Sequence, residues 1–191
     1  MEKSIKANQN YLKEISIFYN KKGSVSTSYR LARKNAFIEI GNLMASFQRM
    51  IQEPKSKQKQ LPQVYKLAIL NHSLLSSSAS LGTYIQSHKT TTASEAFNVV
   101  VDTVIKNLDN AIALLKENDS NIKEILPKED LAMHFTELKN IREKELKSGI
   151  PIDEEAFQLK MQEAQLVIEQ LIWLTNLSEN IVKTTKELVA L

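Results

Sequence analysis

The chain of 191 residues contains no cysteine, which excludes a disulfide framework, a cysteine-ligated zinc site and a thiol nucleophile. Glycine and proline are scarce, with four residues of each, and aromatic residues make up only 6%. Because helix breakers are rare while 42% of the residues are hydrophobic, the composition is typical of a mostly helical protein. The longest apolar runs, such as 112–115, are too short to cross a bilayer.

Apolar residues recur at alternating steps of three and four, as they do on the buried face of a helix. No segment shows the two-residue alternation of a strand, and no internal repeat of fixed period is visible. The sequence therefore predicts an all-α fold, a helical bundle of five to six helices with a long C-terminal helix, forming a single domain over residues 1–191. The predicted helices cover about 2–20, 25–53, 62–87, 94–117, 128–147 and 153–189.

The charge is unevenly distributed along the chain. Residues 1–60 hold twelve Lys or Arg and four acids, a balance of +8, whereas the remainder holds thirteen basic and eighteen acidic residues, a balance of −5. A basic segment on an acidic body indicates an anionic neighbour, such as a membrane surface, nucleic acid or an acidic partner. The alternative is that these residues form a solvated basic face.

Motifs for catalysis are absent from the sequence. There is no glycine-rich phosphate loop, no His-Glu-x-x-His and no Gly-x-Ser-x-Gly. The three histidines, His72, His88 and His134, lack carboxylates at metal-ligand spacing on a shared helix face. Aromatic residues fall on the predicted core stripes and not between basic residues, so nucleic-acid binding is not expected. We therefore expect a non-enzymatic protein with no cofactor and no metal.

Arg33 occupies an unusual position for a charged residue. It follows Tyr29 by four residues and precedes Ala36 by three and Ile40 by seven, which places it on an apolar stripe. A charge there requires a partner acid or carbonyl groups, because burying an isolated charge is costly. The alternative is that the aliphatic stem lies along the apolar surface while the guanidinium reaches water.

Several asparagines also lie at positions that suggest contacts. Asn35, Asn42 and Arg49 are spaced seven residues apart and share a second, polar stripe of the same helix. Asn71 lies between Val64 and Ser78 at seven-residue steps, within the apolar stripe of the third helix. We interpret Asn71 as a buried residue that bonds to a neighbouring helix, with a ligand contact as the alternative.

One stretch resembles a known family. The residues concerned are 29–37 (Tyr-Arg-Leu-Ala-Arg-Lys-Asn-Ala-Phe), Asn42-Leu43, Phe47-Gln48-Arg49-Met50, Glu53-Pro54-Lys55 and Leu70-Asn71-His72-Ser73-Leu74, with Ser77 and Ala79-Ser80-Leu81 after it. In order and spacing they resemble the soluble region that follows the last membrane segments in the fusaric acid resistance (FUSC) family. The resemblance covers about residues 25–85, and from about residue 90 onward only the helical character is similar.

The resemblance implies that the chain is a cytoplasmic regulatory or assembly domain of a multi-pass transporter-like protein at the bacterial inner membrane. Its partners would be the membrane-embedded part of the same protein and the anionic membrane surface near residues 1–60. Residues 1–24 would form a membrane-proximal helix and linker, and 25–191 the bundle. The resemblance offers no catalytic residues, but it suggests a packing or docking surface made of Arg30, Arg33, Lys34, Asn35, Asn42, Arg49, Asn71 and His72.

Two other functions stay open on the sequence alone. The first is a free-standing helical protein-interaction module that is unrelated to transport. The second is an enzyme that uses polar groups in the helix core.

The last predicted helix is longer than a small domain is wide. Its apolar residues include four in succession at 171–174, which point nearly all round the helix. Because one bundle face cannot bury all of them, we expect a symmetric homodimer that uses part of this helix. The alternative is that the first helix of the same chain covers this surface.

Overall fold

The computed structural model describes residues 1–21, 23–87, 93–116, 127–148 and 154–190, with backbone only over 154–164. Within these ranges the chain forms six α-helices, a short 3-10 helix at Lys55–Lys57 and no strand. The predicted all-α class and long C-terminal helix are confirmed, and the predicted helix ends at 117 and 153 lie outside the described residues. The helices are α1 (Glu2–Lys21), α2 (Thr27–Gln52), α3 (Leu61–Ser87), α4 (Glu95–Leu115), α5 (Lys128–Ser148) and α6 (Glu154–Val189).

Local sequence signals account for where the helices begin and end. The Ser26 hydroxyl accepts a hydrogen bond from the Tyr29 amide (3.0 Å), and the Ser94 hydroxyl accepts one from the Phe97 amide (3.1 Å). Each serine thereby satisfies an amide that has no partner within its own helix. Pro54 follows the end of α2.

Four helices form the centre of the bundle and two lie outside it. α1 packs against α3 and α4, and α6 packs against the same two helices. α2 covers α1 and α3, whereas α5 covers α4 and α6. The core is therefore a four-helix layer flanked on opposite sides by α2 and α5.

The second half of the chain repeats the arrangement of the first. α1, α2 and α3 contact one another, and so do α4, α5 and α6. The halves meet through antiparallel pairs. Glu2 bonds to Lys116 and Asn20 to Asn98 between α1 and α4, while Lys66 faces Glu187 between α3 and α6. Two three-helix units with the same contact pattern therefore meet through antiparallel helix pairs.

Buried positions recur between the two units. Ser77 and Ser78 in α3 are buried, as are Thr184 and Thr185 at the corresponding turns of α6. Other buried residues of the two units include Asn8 and Asn107 in α1 and α4, Tyr29 and Leu131 in α2 and α5, and Asn71 and Ser178 in α3 and α6.

The position of α1 differs from the one that the sequence predicts. The predicted division at residue 24 places the first helix beside the bundle, whereas Ile5, Leu12 and Ile15 are fully buried within it. The helix looks polar because some of its buried residues are amides. The Asn8 side chain donates to the Asn71 main-chain oxygen (2.9 Å), and that of Gln9 donates to the Ile105 oxygen (3.0 Å). These bonds offset the desolvation of the amides.

From residue 165 onward, the long helix α6 is covered largely by its own chain. α3, α4 and α5 pack on it, and Leu171 and Leu174 are fully buried. Among the described residues α1 makes no contact with α6, so the alternative cover by the first helix is wrong. Leu166 and Trp173 are each 53% exposed. The remaining apolar surface is therefore smaller than the sequence suggests.

A close helix contact depends on Gly82. A Cβ atom at this position would lie 2.5 Å from the Tyr29 hydroxyl and 3.3 Å from Ile15. The Tyr29 ring cannot retreat easily, because it packs edge-on against Tyr11 with ring centroids 5.5 Å apart.

We expect Gly82→Ala to lower the free energy of unfolding by about 1–2 kcal/mol, since overpacking outweighs the gain in helix propensity. Gly41→Ala is the matched control, because nothing lies within 4 Å of its Cβ position. It should stabilise the protein by about 0.5–1 kcal/mol. Urea denaturation of both variants measures the difference, and a stabilising Gly82→Ala would contradict the close contact.

Candidate functional site

Three of the predicted docking residues lie together. Arg30, Arg33 and Lys34 line a groove between the first half of α2 and the end of α3. Their spacing of three and four residues places them on one face of α2. The groove has a volume of about 820 Å³. The α3 side contributes Thr83 and Gln86.

The other residues of α2 lie apart from this groove. Asn35 lines a second depression, between α1 and α2. Asn42 and Arg49 are exposed further along the helix, where both contact Ser46. The Ser46 hydroxyl donates to the Asn42 main-chain oxygen (2.8 Å) and accepts from Arg49 (2.9 Å). The predicted polar stripe of α2 is therefore exposed.

Asn71 and His72 are neighbours in sequence but have different surroundings. Asn71 is fully buried, accepts the bond from Asn8, and donates to the Leu67 main-chain oxygen (2.9 Å). Its predicted burial is confirmed, and its side-chain oxygen lies 3.5 Å from the Asn8 side-chain nitrogen of the neighbouring helix. His72 is exposed on α3. The eight predicted residues therefore do not form one continuous surface.

Arg33 lies at the surface of the protein and not in its core. Its side chain is exposed, and its guanidinium carbon lies 5.4 Å from the centre of the Phe37 ring. Such a position over an aromatic face stabilises a cation. Among the described residues no acid pairs with Arg33 as the first interpretation expected, and its exposure follows from α2 being an outer helix with a narrow buried stripe.

Tyr29 forms the floor of the groove. Its side chain is only 3% exposed, and its hydroxyl accepts a hydrogen bond from the Gln86 amide (2.6 Å). The same hydroxyl lies 3.3 Å from that of Tyr11. Burial, followed by the bond to Tyr29, raises the pKa of Tyr11 well above its ordinary value, and the nearby Arg33 charge partly offsets this rise.

The apolar spacing places Tyr29 in the core but does not predict that its hydroxyl lies at the floor of a groove. The contact of Gln86 with this hydroxyl is not predicted either, because no local pattern marks it. The one available signal was Gly82, a glycine inside a predicted helix, which often marks close approach of another group. The glycine indicates that some group approaches α3 closely, but it does not indicate that this group is the Tyr29 hydroxyl.

The cations of the groove are not neutralised within the described part of the chain. No carboxylate there forms an ion pair with Arg30, Arg33 or Lys34. Other lysines are paired: Lys6 lies 4.0 Å from Asp109 and Lys116 lies 2.7 Å from Glu2. The groove therefore presents concentrated positive charge beside the exposed apolar side chains of Phe37 and Ile38.

This chemistry suits binding. Within the described ranges no three His, Asp or Glu side chains are grouped as metal ligands would be. In the same residues no helix is both long and apolar enough to span a membrane. What the groove offers is three cationic groups, the hydroxyls of Tyr29 and Thr83, and an amide.

Comparison of the chain with known protein families, curated proteins and solved structures gives no match. The likeness to the fusaric acid resistance family therefore depends only on the residues quoted for it.

We expect Tyr29→Phe to lower the free energy of unfolding by about 1–2 kcal/mol, because Gln86 and Tyr11 both lose a buried partner. Tyr65→Phe is the control, since the Tyr65 side chain is half exposed and its ring, not its hydroxyl, packs on Phe47. That change should stay within about 0.5 kcal/mol. Equal denaturation midpoints for the two variants would show that the Tyr29 hydroxyl contributes nothing.

Proposed function

We propose that this bundle is a cytoplasmic regulatory or assembly domain of a multi-pass, FUSC-like inner-membrane transporter, and that it has no catalytic role. The family likeness of residues 25–85 motivates the proposal. The observation that supports it best is the outer face of α2, where cations and large apolar side chains are exposed side by side.

The α2 face consists of the exposed cationic and large apolar residues in the first half of that helix. It carries the cations of the groove together with large apolar side chains that are about half exposed. Exposed apolar groups of this size mark contact surfaces, and basic residues beside them favour an anionic contact. Its members are Arg30, Leu31, Arg33, Lys34, Phe37 and Ile38.

Docking of this face on an anionic membrane also agrees with the charge distribution. Residues 1–60, which include all of α2, hold the +8 balance, and the acidic remainder includes α4, α5 and α6. A positive first part would face the headgroups, while the acidic part would be directed away from them. Because α2 lies outside the central layer, its outer face needs no rearrangement to make this contact.

We expect the protein to bind vesicles that contain phosphatidylserine and to release them as salt rises, since the Debye length falls to about 3 Å at 1 M. Arg30→Gln combined with Lys34→Gln should weaken binding by about 2 kcal/mol, because each cation contributes about 1 kcal/mol. Vesicle co-sedimentation measures both effects.

The matched control for that pair removes the same charge from α5. Lys139→Gln with Lys144→Gln changes two exposed lysines of the equivalent outer helix. Vesicle binding should then fall by less than it does in the α2 variant. Equal binding to neutral phosphatidylcholine vesicles, or equal losses in both double variants, would contradict docking through α2.

The second candidate is a free-standing helical protein-interaction module. It is favoured by Leu166 and Trp173, which lie two turns apart on the exposed face of α6. An exposed pair of this kind is typical of a protein interface, and the partner expected here is a second copy of the chain.

We expect a homodimer at micromolar concentration that dissociates when Trp173 is replaced by Ser. Met133→Ser is the control, because Met133 is an apolar residue on α5 that is more exposed than Trp173. Light scattering determines the mass of each variant. A monomeric mass for the unaltered protein at all concentrations tested would eliminate the dimer.

A further inference from the structure

The groove between α2 and α3 has the features of a ligand site in addition to those of a docking face. Its floor is rigid, because Tyr29 is buried and its hydroxyl is held by Gln86 and lies beside that of Tyr11. The glycine at position 82 allows this hydroxyl to approach α3. A polar group is therefore fixed in place at the base of a positively charged depression.

Two of the three groove cations repel each other. Arg30 and Lys34 lie one helical turn apart, and like charges at this spacing repel. No carboxylate of the described chain pairs with either residue, so this repulsion is not offset there by an ion pair. A bound anion would offset it.

The second three-helix unit provides an internal comparison. α5 covers α4 and α6 as α2 covers α1 and α3, and Leu131 and Leu138 are buried seven residues apart, as Tyr29 and Ala36 are. The residues one, four and five places after Leu131 are Ala132, Phe135 and Thr136, none of which is charged, whereas the same steps after Tyr29 lead to Arg30, Arg33 and Lys34. An outer helix of this bundle thus packs on its neighbours without three cations at these steps.

The composition of the groove indicates which anion it suits. A carboxylate is satisfied by one guanidinium, whereas two guanidinium groups and an ammonium match a group with several oxygens and a charge near −2. Arginine also binds such oxygens through its planar fork. Beside the cations, Val25, Phe37 and Ile38 supply an apolar wall.

We propose that this groove binds a phosphate group, whose oxygens contact Arg30, Arg33 and Lys34 while the apolar part of the same ligand lies against Phe37 and Ile38. The phosphate belongs either to a soluble phosphate ester or to a lipid headgroup. The site goes beyond membrane docking, since a soluble ester occupies it without any membrane.

The first experiment titrates the protein with inorganic phosphate, against sodium chloride of equal ionic strength, and follows backbone and Gln86 side-chain amides by NMR. We expect saturable shifts at the first half of α2 and at Gln86. Arg33→Gln should weaken phosphate binding by about tenfold or more, because a charge-assisted contact is lost. Arg49→Gln should leave it unchanged, since Arg49 is exposed on the same helix outside the groove.

Two further arms distinguish the sources of the phosphate and guard against misfolding. Arg30→Gln, at an exposed position, repeats the test if Arg33→Gln fails to fold. In a competition experiment, inorganic phosphate is added to protein bound to phosphatidic acid vesicles. If it releases more protein than sodium chloride of equal ionic strength does, the site is assigned to a lipid headgroup. Phosphate binding without such release would assign it to a soluble ester.

The outcomes separate this site from the proposed membrane role. Absence of saturable phosphate binding, or equal weakening by Arg33→Gln and Arg49→Gln, would overturn the phosphate site even if anionic vesicles bind. Saturable phosphate binding that depends on Arg33 would support the phosphate site even if no vesicle binds. In that case only the proposed membrane docking would be contradicted.

Discussion

Buried amides set how the helices of this bundle meet, because an amide without a partner in an apolar core is costly. Asn8 reaches the main chain of α3 at Asn71, and Gln9 reaches that of α4 at Ile105. In the second unit, Asn107 donates to the Ser178 hydroxyl between α4 and α6 (2.9 Å). A shift of one helix along another would break these bonds, so the polar residues select one register from many with similar apolar contact.

The groove depends on that register. α1, α2 and α3 must be aligned for Tyr11, Tyr29 and Gln86 to meet, and for Gly82 to lie beside the Tyr29 hydroxyl. The cations of α2 need no such alignment, since they are neighbours on one helix face. The site therefore combines a local element, the charged turn, with a tertiary element, the fixed hydroxyl below it.

This combination explains how much could be predicted from the sequence. Helix positions follow from the spacing of apolar residues, and the described part of the chain contains six α-helices close to the expected ranges. The burial of α1 could not be predicted, because Asn8 and Gln9 look like surface residues until their partners on other helices are known. Arg30, Arg33 and Lys34 could be grouped from their spacing, whereas the contribution of Gln86 requires knowledge of how α3 packs on α2.

The repeated contact pattern has a consequence for how the two halves can change. The two three-helix units meet through the antiparallel pairs α1 with α4 and α3 with α6, which is the contact pattern that a two-fold dimer of one such unit would have. In a true dimer both copies must change together, because one gene encodes both. On one polypeptide each unit can change without the other, so α2 can concentrate charge at Arg30, Arg33 and Lys34 while α5 carries none at Ala132, Phe135 and Thr136.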